Sequence, residues 1–280
     1  MKKKILFFGI SGLLGSNLYK IFLKKKKYSI RGVCREKSFS SLSSEMKSRV
    51  LKVKHFKNIS ELDVLFKKFK PDFVINCVGT IKQSKNMNKF NEVVFINSLF
   101  PHVLSLLCNL NKARLIHFST DCVFLGSKGN YKENHKLDAD DFYGLSKIQG
   151  EISNKNSITL RTSIIGKELK NKKSLLEWFL SQKGKIYGFS KVIFSGLPIR
   201  EISKILEKIM IKKKLSGIYH LSSKPINKYE LLKLFNKKFN KKLNIEENKK
   251  IRLDRSLNSL KLRKAINYKL QDWRKLINSI

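Results

Sequence analysis

Tyr143 and Lys147 stand four residues apart, the spacing that puts two side chains on one face of a helix. An ammonium beside a phenol lowers its pKa, so the tyrosine can donate a proton near neutral pH. The pairing alone carries little weight. Eight tyrosines among so many lysines give about one such pair by chance, and three occur: Tyr143/Lys147, Tyr187/Lys191 and Tyr229/Lys233. Context selects the first. Ser119-Thr120-Asp121 closes an apolar, strand-like run, at the carboxyl edge where open α/β sheets bind ligands. Tyr143 follows after a loop and opens the next helical pattern. A hydroxyl from Thr120 can polarise a carbonyl while Tyr143 delivers the proton; one of Ser119 and Thr120 is expected to do no more than cap the strand end.

The second constellation is Gly9, Gly12 and Gly15, a GxxGxxG set directly after the apolar run Ile5–Phe8 and at the head of the helical pattern Leu13–Leu23. The first glycine permits a tight turn and the second lets the backbone close on a pyrophosphate. The third lets helix and strand pack closely, with the helix N-terminus facing the anion. Where a carboxylate at the end of the second strand would take the ribose hydroxyls of NAD, this chain has Arg35, followed by Lys37 and Ser38. A cation there suits a 2′-phosphate, so NADP(H) is the preferred cofactor and NAD(H) stays open. The competing reading of Arg35 is one more surface cation among many.

These residues need a scaffold, and the sequence supplies one. Strands are predicted at Ile5–Phe8, Ser29–Val33, Val50–Val53, Phe73–Cys77 and Leu115–Phe118, with helical patterns between them at Leu13–Leu23, Glu61–Phe69 and Val94–Leu110, where Pro101 marks a kink or a start. Continuously apolar strands separated by helices imply a parallel sheet covered on both faces, a doubly wound Rossmann α/β fold. After Ile158–Leu160 the pattern loosens, with helices at Ser174–Gln182, Ile199–Lys212, Lys228–Phe239 and near Trp273, and a short strand at Ile218–Leu221. The expected organisation is a cofactor domain over residues 1–160 and a smaller, partly interleaved C-terminal lobe over residues 161–280.

Composition limits what else the chain can be. Its 280 residues carry a formal net charge of +39. Lysine dominates arginine and is spread along the whole chain, whereas nucleic-acid readers favour arginine forks and clustered patches. The charge therefore reads as a solvated surface, with no specific nucleic-acid partner. Cys34, Cys77, Cys108 and Cys122 have no CxxC or metal-ligand spacing, so they read as small core residues, with no metal site and a cytoplasmic location expected. Lys2–Lys4 and the apolar run after them imitate a signal peptide, but no cleavage site follows and the glycines have the explanation above. No run of 18 or more apolar residues exists, so no membrane span is expected.

With these motifs in view, the chain resembles the extended short-chain dehydrogenase/reductases, and within them the dTDP-4-dehydrorhamnose reductase group. The resemblance runs nearly end to end. It rests on the glycine set, Pro71-Asp72-Phe73-Val74-Ile75-Asn76-Cys77-Val78-Gly79, Asn97, and Ser119-Thr120-Asp121-Cys122-Val123-Phe124. It continues through Tyr143-Gly144-Leu145-Ser146-Lys147, Gly150-Glu151, Leu160-Arg161-Thr162 and Asp254-Arg255-Ser256-Leu257-Asn258-Ser259. It implies Thr120, Tyr143 and Lys147 as the catalytic set, with Thr120 preferred over Ser119. It implies cofactor contacts at Gly9, Ser11, Gly12, Leu13, Leu14 and Gly15, at Cys77, Val78 and Gly79, and at Lys147. A nucleotide-sugar would be held by Asp121, Cys122, Trp178 and Arg255, with Arg161 a lesser phosphate candidate. Three departures stand out. His55 lies where an acidic residue is common, Cys122 replaces an aromatic, and the Trp178–Ser195 region is closer to a sister group acting on UDP-2-acetamido-2,6-dideoxy-hexos-4-uloses.

The activity implied is NAD(P)H-dependent reduction of the 4-keto group of a nucleotide-linked 6-deoxysugar, in surface-polysaccharide sugar biosynthesis. A 4-epimerase or dehydratase on the same fold, and a non-catalytic NADP(H)-binding regulatory subunit, are the alternatives. A homodimer is left open.

Overall fold

The computed structural model describes residues 1–82, 84–169, 173–212 and 214–280. A seven-stranded sheet forms its centre, built from β1 (Lys3–Phe8), β2 (Tyr28–Arg35), β3 (Val50–Val53), β4 (Phe73–Asn76), β5 (Arg114–Thr120), β6 (Ser157–Thr162) and β7 (Gly217–His220). The strand order is β7-β6-β5-β4-β1-β2-β3. β1 pairs in parallel with β2 and β4, β2 with β3, and β4 with β5. The order turns back at β1, the topological switch point beside which open α/β sheets take their ligands. Helices α1 (Leu13–Leu23), α2 (Ile59–Phe69), α3 (Phe100–Leu110) and α4 (Phe142–Gln149) connect these strands. The doubly wound Rossmann expectation holds.

The reason the sheet forms is in its burial. β1 ends on four fully buried residues, Ile5, Leu6, Phe7 and Phe8, and β4 is buried throughout. A strand apolar on both sides has no wet face and needs helices over each. On one side Leu6, Phe8, Val33 and Val74 meet Leu62 and Phe66 of α2 and Phe100 and Leu104 of α3. On the other, Phe7 packs against Tyr19 and Phe22 of α1.

The predicted helical run Val94–Leu110, with a kink or start at Pro101, is longer and more divided than its pattern shows. An α-helical turn, Phe90–Val93, passes into a π-helical stretch, Val94–Leu99, before α3 begins. Pro101 sits in the first positions of α3, where its missing N–H costs nothing. The whole run Phe90–Leu110 is long and apolar enough to cross a membrane, but half of it is buried inside the fold, in the same core as β1 and β4.

The chain divides into two compact units. The first comprises residues 1–119, 141–160 and 210–218; the second comprises residues 120–140, 161–209 and 219–280. Strands β5, β6 and β7 each run on at their carboxyl ends into residues of the second unit. That unit has its own core of Leu176, Phe179, Ile186, Leu231, Leu232 and Phe235. Its elements include α5 (Leu175–Ser181), α6 (Ile199–Ile211), α7 (Lys228–Phe239) and a parallel pair of strands, Lys185–Phe189 with Asn244–Asn248.

Candidate active site

The glycine loop comes first. Gly9 has φ +82°, in the left-handed region, and a Cβ on it would lie 2.6–2.7 Å from the backbone of Cys77 and Val78. Gly15 is equally constrained, since its Cβ would run into the backbone of Gly9. Gly12 differs: its Cβ would meet only the Gly9 carbonyl oxygen, at an ordinary 3.5 Å. Two of the three glycines are thus demanded by the fold and the middle one is not. Gly12 is also the N-cap of α1, with no side-chain cap and no acidic residue in the first turn. Uncapped N–H groups and an open approach suit a pyrophosphate. Ser11 is exposed, Leu13 half-buried and Leu14 buried beside it. These features fit a dinucleotide.

Cys77, Val78 and Gly79 follow β4, held by two asparagines. Asn76 accepts the Val78 N–H through its side-chain oxygen at 3.0 Å, and its amide donates to His117 Nδ1 at 3.1 Å. That contact leaves the proton on His117 Nε2, a buried atom without a partner among the described residues. Burial holds the His117 imidazole well below its usual pKa, so it is neutral. Asn97, in the π-helical stretch, grips Thr80 at both its N–H and its carbonyl, at 2.8 and 3.0 Å. The same amide donates to Ser146 Oγ at 3.0 Å, so one buried residue ties the loop to α4. Helical irregularities of this kind recur at functional sites.

α4 begins where it does because Asp141 caps it, accepting the Gly144 N–H at 2.7 Å. Lys82 pairs with the second oxygen of that cap at 2.8 Å. Tyr143 therefore sits in the first turn, half-buried, and Lys147 one turn on, buried. Lys147 Nζ donates to the Phe118 carbonyl at 2.9 Å, which anchors it on β5, two residues before Thr120. Burial brings the ammonium down to about 8, with the Glu151 carboxylate the largest opposing influence. Burial also pushes the Cys77 thiol far up, so it is uncharged.

The second unit begins at the strand-end hydroxyl. Thr120 Oγ1 accepts the Cys122 N–H at 3.1 Å and donates to Asp121 Oδ1 at 3.2 Å. Both strand-end hydroxyls have partners: Thr120 accepts the Cys122 N–H, while Ser119 donates to Glu151 Oε1 at 2.8 Å. Asp121 is half-buried, and desolvation raises its carboxyl although the charge of Arg255 opposes this. Arg255 Nε donates to the Phe124 carbonyl at 2.8 Å and Nη1 reaches Cys122 Sγ at 3.5 Å. Burial pushes the Cys122 thiol up to about 11. Asp121, Cys122 and Arg255 thus come together as the resemblance implied. Lys228, the first residue of α7, joins them: burial lowers its pKa and the charge of Asp121 works against that. Sequence reasoning missed Lys228, and one lysine in so basic a chain carries no signal that could have found it.

Trp178 and Arg161 are placed differently. Trp178 lies on α5 with 38% of its surface exposed and makes no hydrogen bond to the Asp121 group. Arg161 is 2% exposed, its guanidinium against the Phe124 ring and 3.3 Å from His220 Nε2. It is a buried cation held between an aromatic ring and a histidine. His220 Nδ1 meets the Tyr131 carbonyl at 2.9 Å, and burial lowers this histidine to about 3. Cys34 and Cys108 are buried as expected, while Cys77 and Cys122 keep a little exposed surface, each within a candidate site. Arg35 ends β2 half-buried, its guanidinium 6.0 Å from the centre of the Phe56 ring.

A glycine-rich turn into an uncapped helix, with a buried lysine one turn after a tyrosine, defines an extended short-chain dehydrogenase/reductase. Residues 2–280 match the family model described as "RmlD substrate binding domain", and the chain belongs to that family. A dTDP-4-dehydrorhamnose reductase of Aggregatibacter actinomycetemcomitans is 26% identical over 235 residues, 79% of this chain and 74% of the relative. The spore coat polysaccharide biosynthesis protein SpsK of Bacillus subtilis (strain 168) is 27% identical over 168 residues, 58% of each chain. Among solved structures, a dTDP-4-dehydrorhamnose reductase of Bacillus anthracis strain Ames in complex with NADP superposes with a TM-score of 0.82 at 21% identity. That superposition covers 100% of this chain and 98% of the other.

Proposed function

We propose that the protein is an NAD(P)H-dependent reductase of the 4-keto group of a nucleotide-linked 6-deoxysugar, acting in the cytoplasm in surface-polysaccharide sugar biosynthesis. The observation that carries this reading is Lys147, buried, anchored on the Phe118 carbonyl and one turn from Tyr143. A buried lysine is costly unless it has work to do. The glycine loop, Arg35 and the segment Cys77–Gly79 bind the dinucleotide, NADP(H) in preference to NAD(H). The nicotinamide, when bound, supplies the hydride. Lys147 holds the cofactor ribose and keeps Tyr143 acidic enough to give its phenolic proton to the oxygen that was the carbonyl. Thr120 donates a hydrogen bond to the same oxygen as charge grows there; its hydroxyl proton must then turn from Asp121 Oδ1 to the substrate. Arg255 and Lys228 take the diphosphate, with Asp121 and Cys122 on the sugar side.

The relative named dTDP-4-dehydrorhamnose reductase and the polysaccharide context of the second relative support this substrate class. The test is incubation with NADPH and a panel of 4-keto-6-deoxysugar nucleotides. A reductase consumes NADPH stoichiometrically with sugar. An epimerase or dehydratase would turn sugar over with no net consumption, and a regulatory subunit would bind NADPH and convert nothing.

A further inference from the structure

Ser119 is left over from the catalytic set, yet it is 6% exposed and its hydroxyl is spent on Glu151 Oε1, at 2.8 Å. Glu151 follows the end of α4, four residues after Lys147. Its N–H is fixed to the Ile148 carbonyl at 3.1 Å, and the Gly150 N–H to the Lys147 carbonyl at 3.2 Å. Gly150 is required there, because a Cβ on it would run into the Asn97 carbonyl oxygen. The close approach of the π-helical stretch therefore sets where the chain leaves α4 and delivers Glu151 to the strand that also anchors Lys147. Ser119 and Phe118 are neighbours on β5: one holds the carboxylate, the other the ammonium.

Among the described residues, the charges acting on Lys147 reduce to one. The groups that act on it are Glu151 and Cys77, and His117 lies within its field. Burial makes the Cys77 thiol and the His117 imidazole neutral. That leaves the Glu151 carboxylate as the counter-charge in this group. A buried ammonium without one gives up its proton.

We propose that Glu151 is a positioning residue for the reduction and Ser119 its clamp: the carboxylate, fixed to β5 by the Ser119 hydroxyl, keeps the buried Lys147 charged and in place to hold the cofactor and bias Tyr143. The inference deepens the reductase reading and rests on it. Glu151 touches neither cofactor nor sugar in this scheme. Its effect passes through the charge of Lys147, which sits at about 8, near working pH.

The experiment uses the full chain, labelled with ε-13C lysine, and follows by NMR the resonance that disappears in Lys147→Met. In the parent this resonance should titrate near pH 8. Glu151→Gln keeps an acceptor for Ser119 and removes the charge, so the midpoint should fall by about one pH unit or more. At pH 7.5 a fall of that size cuts the ammonium fraction about three-fold. Glu151→Asp keeps the charge and should move the midpoint less. Ser119→Ala keeps the carboxylate but frees it, giving a smaller fall in the same direction; it also serves if Glu151→Gln does not fold. The resonances of the exposed surface lysines should not move. The alkaline limb of NADPH affinity and of keto-sugar turnover should shift with the Lys147 midpoint, which a merely structural role would leave in place. An unmoved midpoint in both Glu151→Gln and Ser119→Ala overturns this proposal with the reductase reading intact. A parent that reduces no keto-sugar overturns the reductase reading and the proposal's catalytic purpose with it, whatever the midpoint does.

Discussion

Replacing Lys147 by methionine should make the protein more stable while disabling it. The side chain is 4% exposed, and burial brings its ammonium from 10.5 to about 8. The native state therefore carries a charge it would rather lose. At about 1.4 kcal/mol per pH unit, the penalty at neutral pH is on the order of 3 kcal/mol. Methionine fills much the same volume without charge. It forfeits the hydrogen bond to the Phe118 carbonyl, worth about 1 kcal/mol, and removes the positive charge near Glu151. The net gain at pH 7 should be about 1–2 kcal/mol, or a few degrees in Tm. The pH dependence gives the sign. Between about 8 and 10.5 the unfolded lysine binds a proton that the folded one does not, so the parent gains stability as pH rises through that window. The advantage of the variant is full below pH 8 and fades towards 10.5. Urea melts of both proteins at pH 7, 8, 9 and 10 read this directly. A variant that is less stable at pH 7, or a difference that does not change with pH, would refute the reasoning.

Tyr143→Phe should reduce turnover about 10²–10⁴-fold with cofactor binding retained. Tyr187→Phe and Tyr229→Phe, which share the motif without its setting, should retain activity in the same NADPH-oxidation assay. Gly12→Val should fold normally by circular dichroism yet lose NADPH binding, because its Cβ meets nothing closer than 3.5 Å and the valine fills the approach to the helix N-terminus. Gly15→Ala should instead lose stability, since its Cβ meets the Gly9 backbone; thermal melts separate the two. Arg35→Ala should weaken NADPH by about 1–3 kcal/mol and leave NADH unchanged, as fluorescence titration would show.

The sheet was legible because parallel strands buried on both faces are continuously apolar. Val50–Val53 and Leu13–Leu23 were read to the residue, and Lys228–Phe239 likewise. The strands Lys185–Phe189 and Asn244–Asn248 were missed. They alternate buried and exposed residues or carry charge, and at five residues each such a pattern is weak. The π-helical stretch was illegible for another reason: its signal is the bidentate grip of Asn97 on Thr80, a long-range contact that periodicity does not encode. At the site, spacing found Tyr143, Lys147 and the glycines. It could not divide the labour between Ser119 and Thr120, because that division depends on where Glu151 lies in space. Arg161 looked like an anion partner in sequence and proved to be buried against Phe124 and His220.

The proposed reaction is a net transfer of hydride from the nicotinamide to a keto carbon of a sugar nucleotide. The most direct test is to incubate the protein with NADPH deuterated on the transferred face and a 4-keto-6-deoxysugar nucleotide, and to locate the label by NMR. Reduction predicts deuterium at C4 of the sugar, in equal amount to the NADP+ formed. Sugar conversion with the label retained on the cofactor, or no conversion of any keto-sugar nucleotide by a protein that binds NADPH, would contradict it.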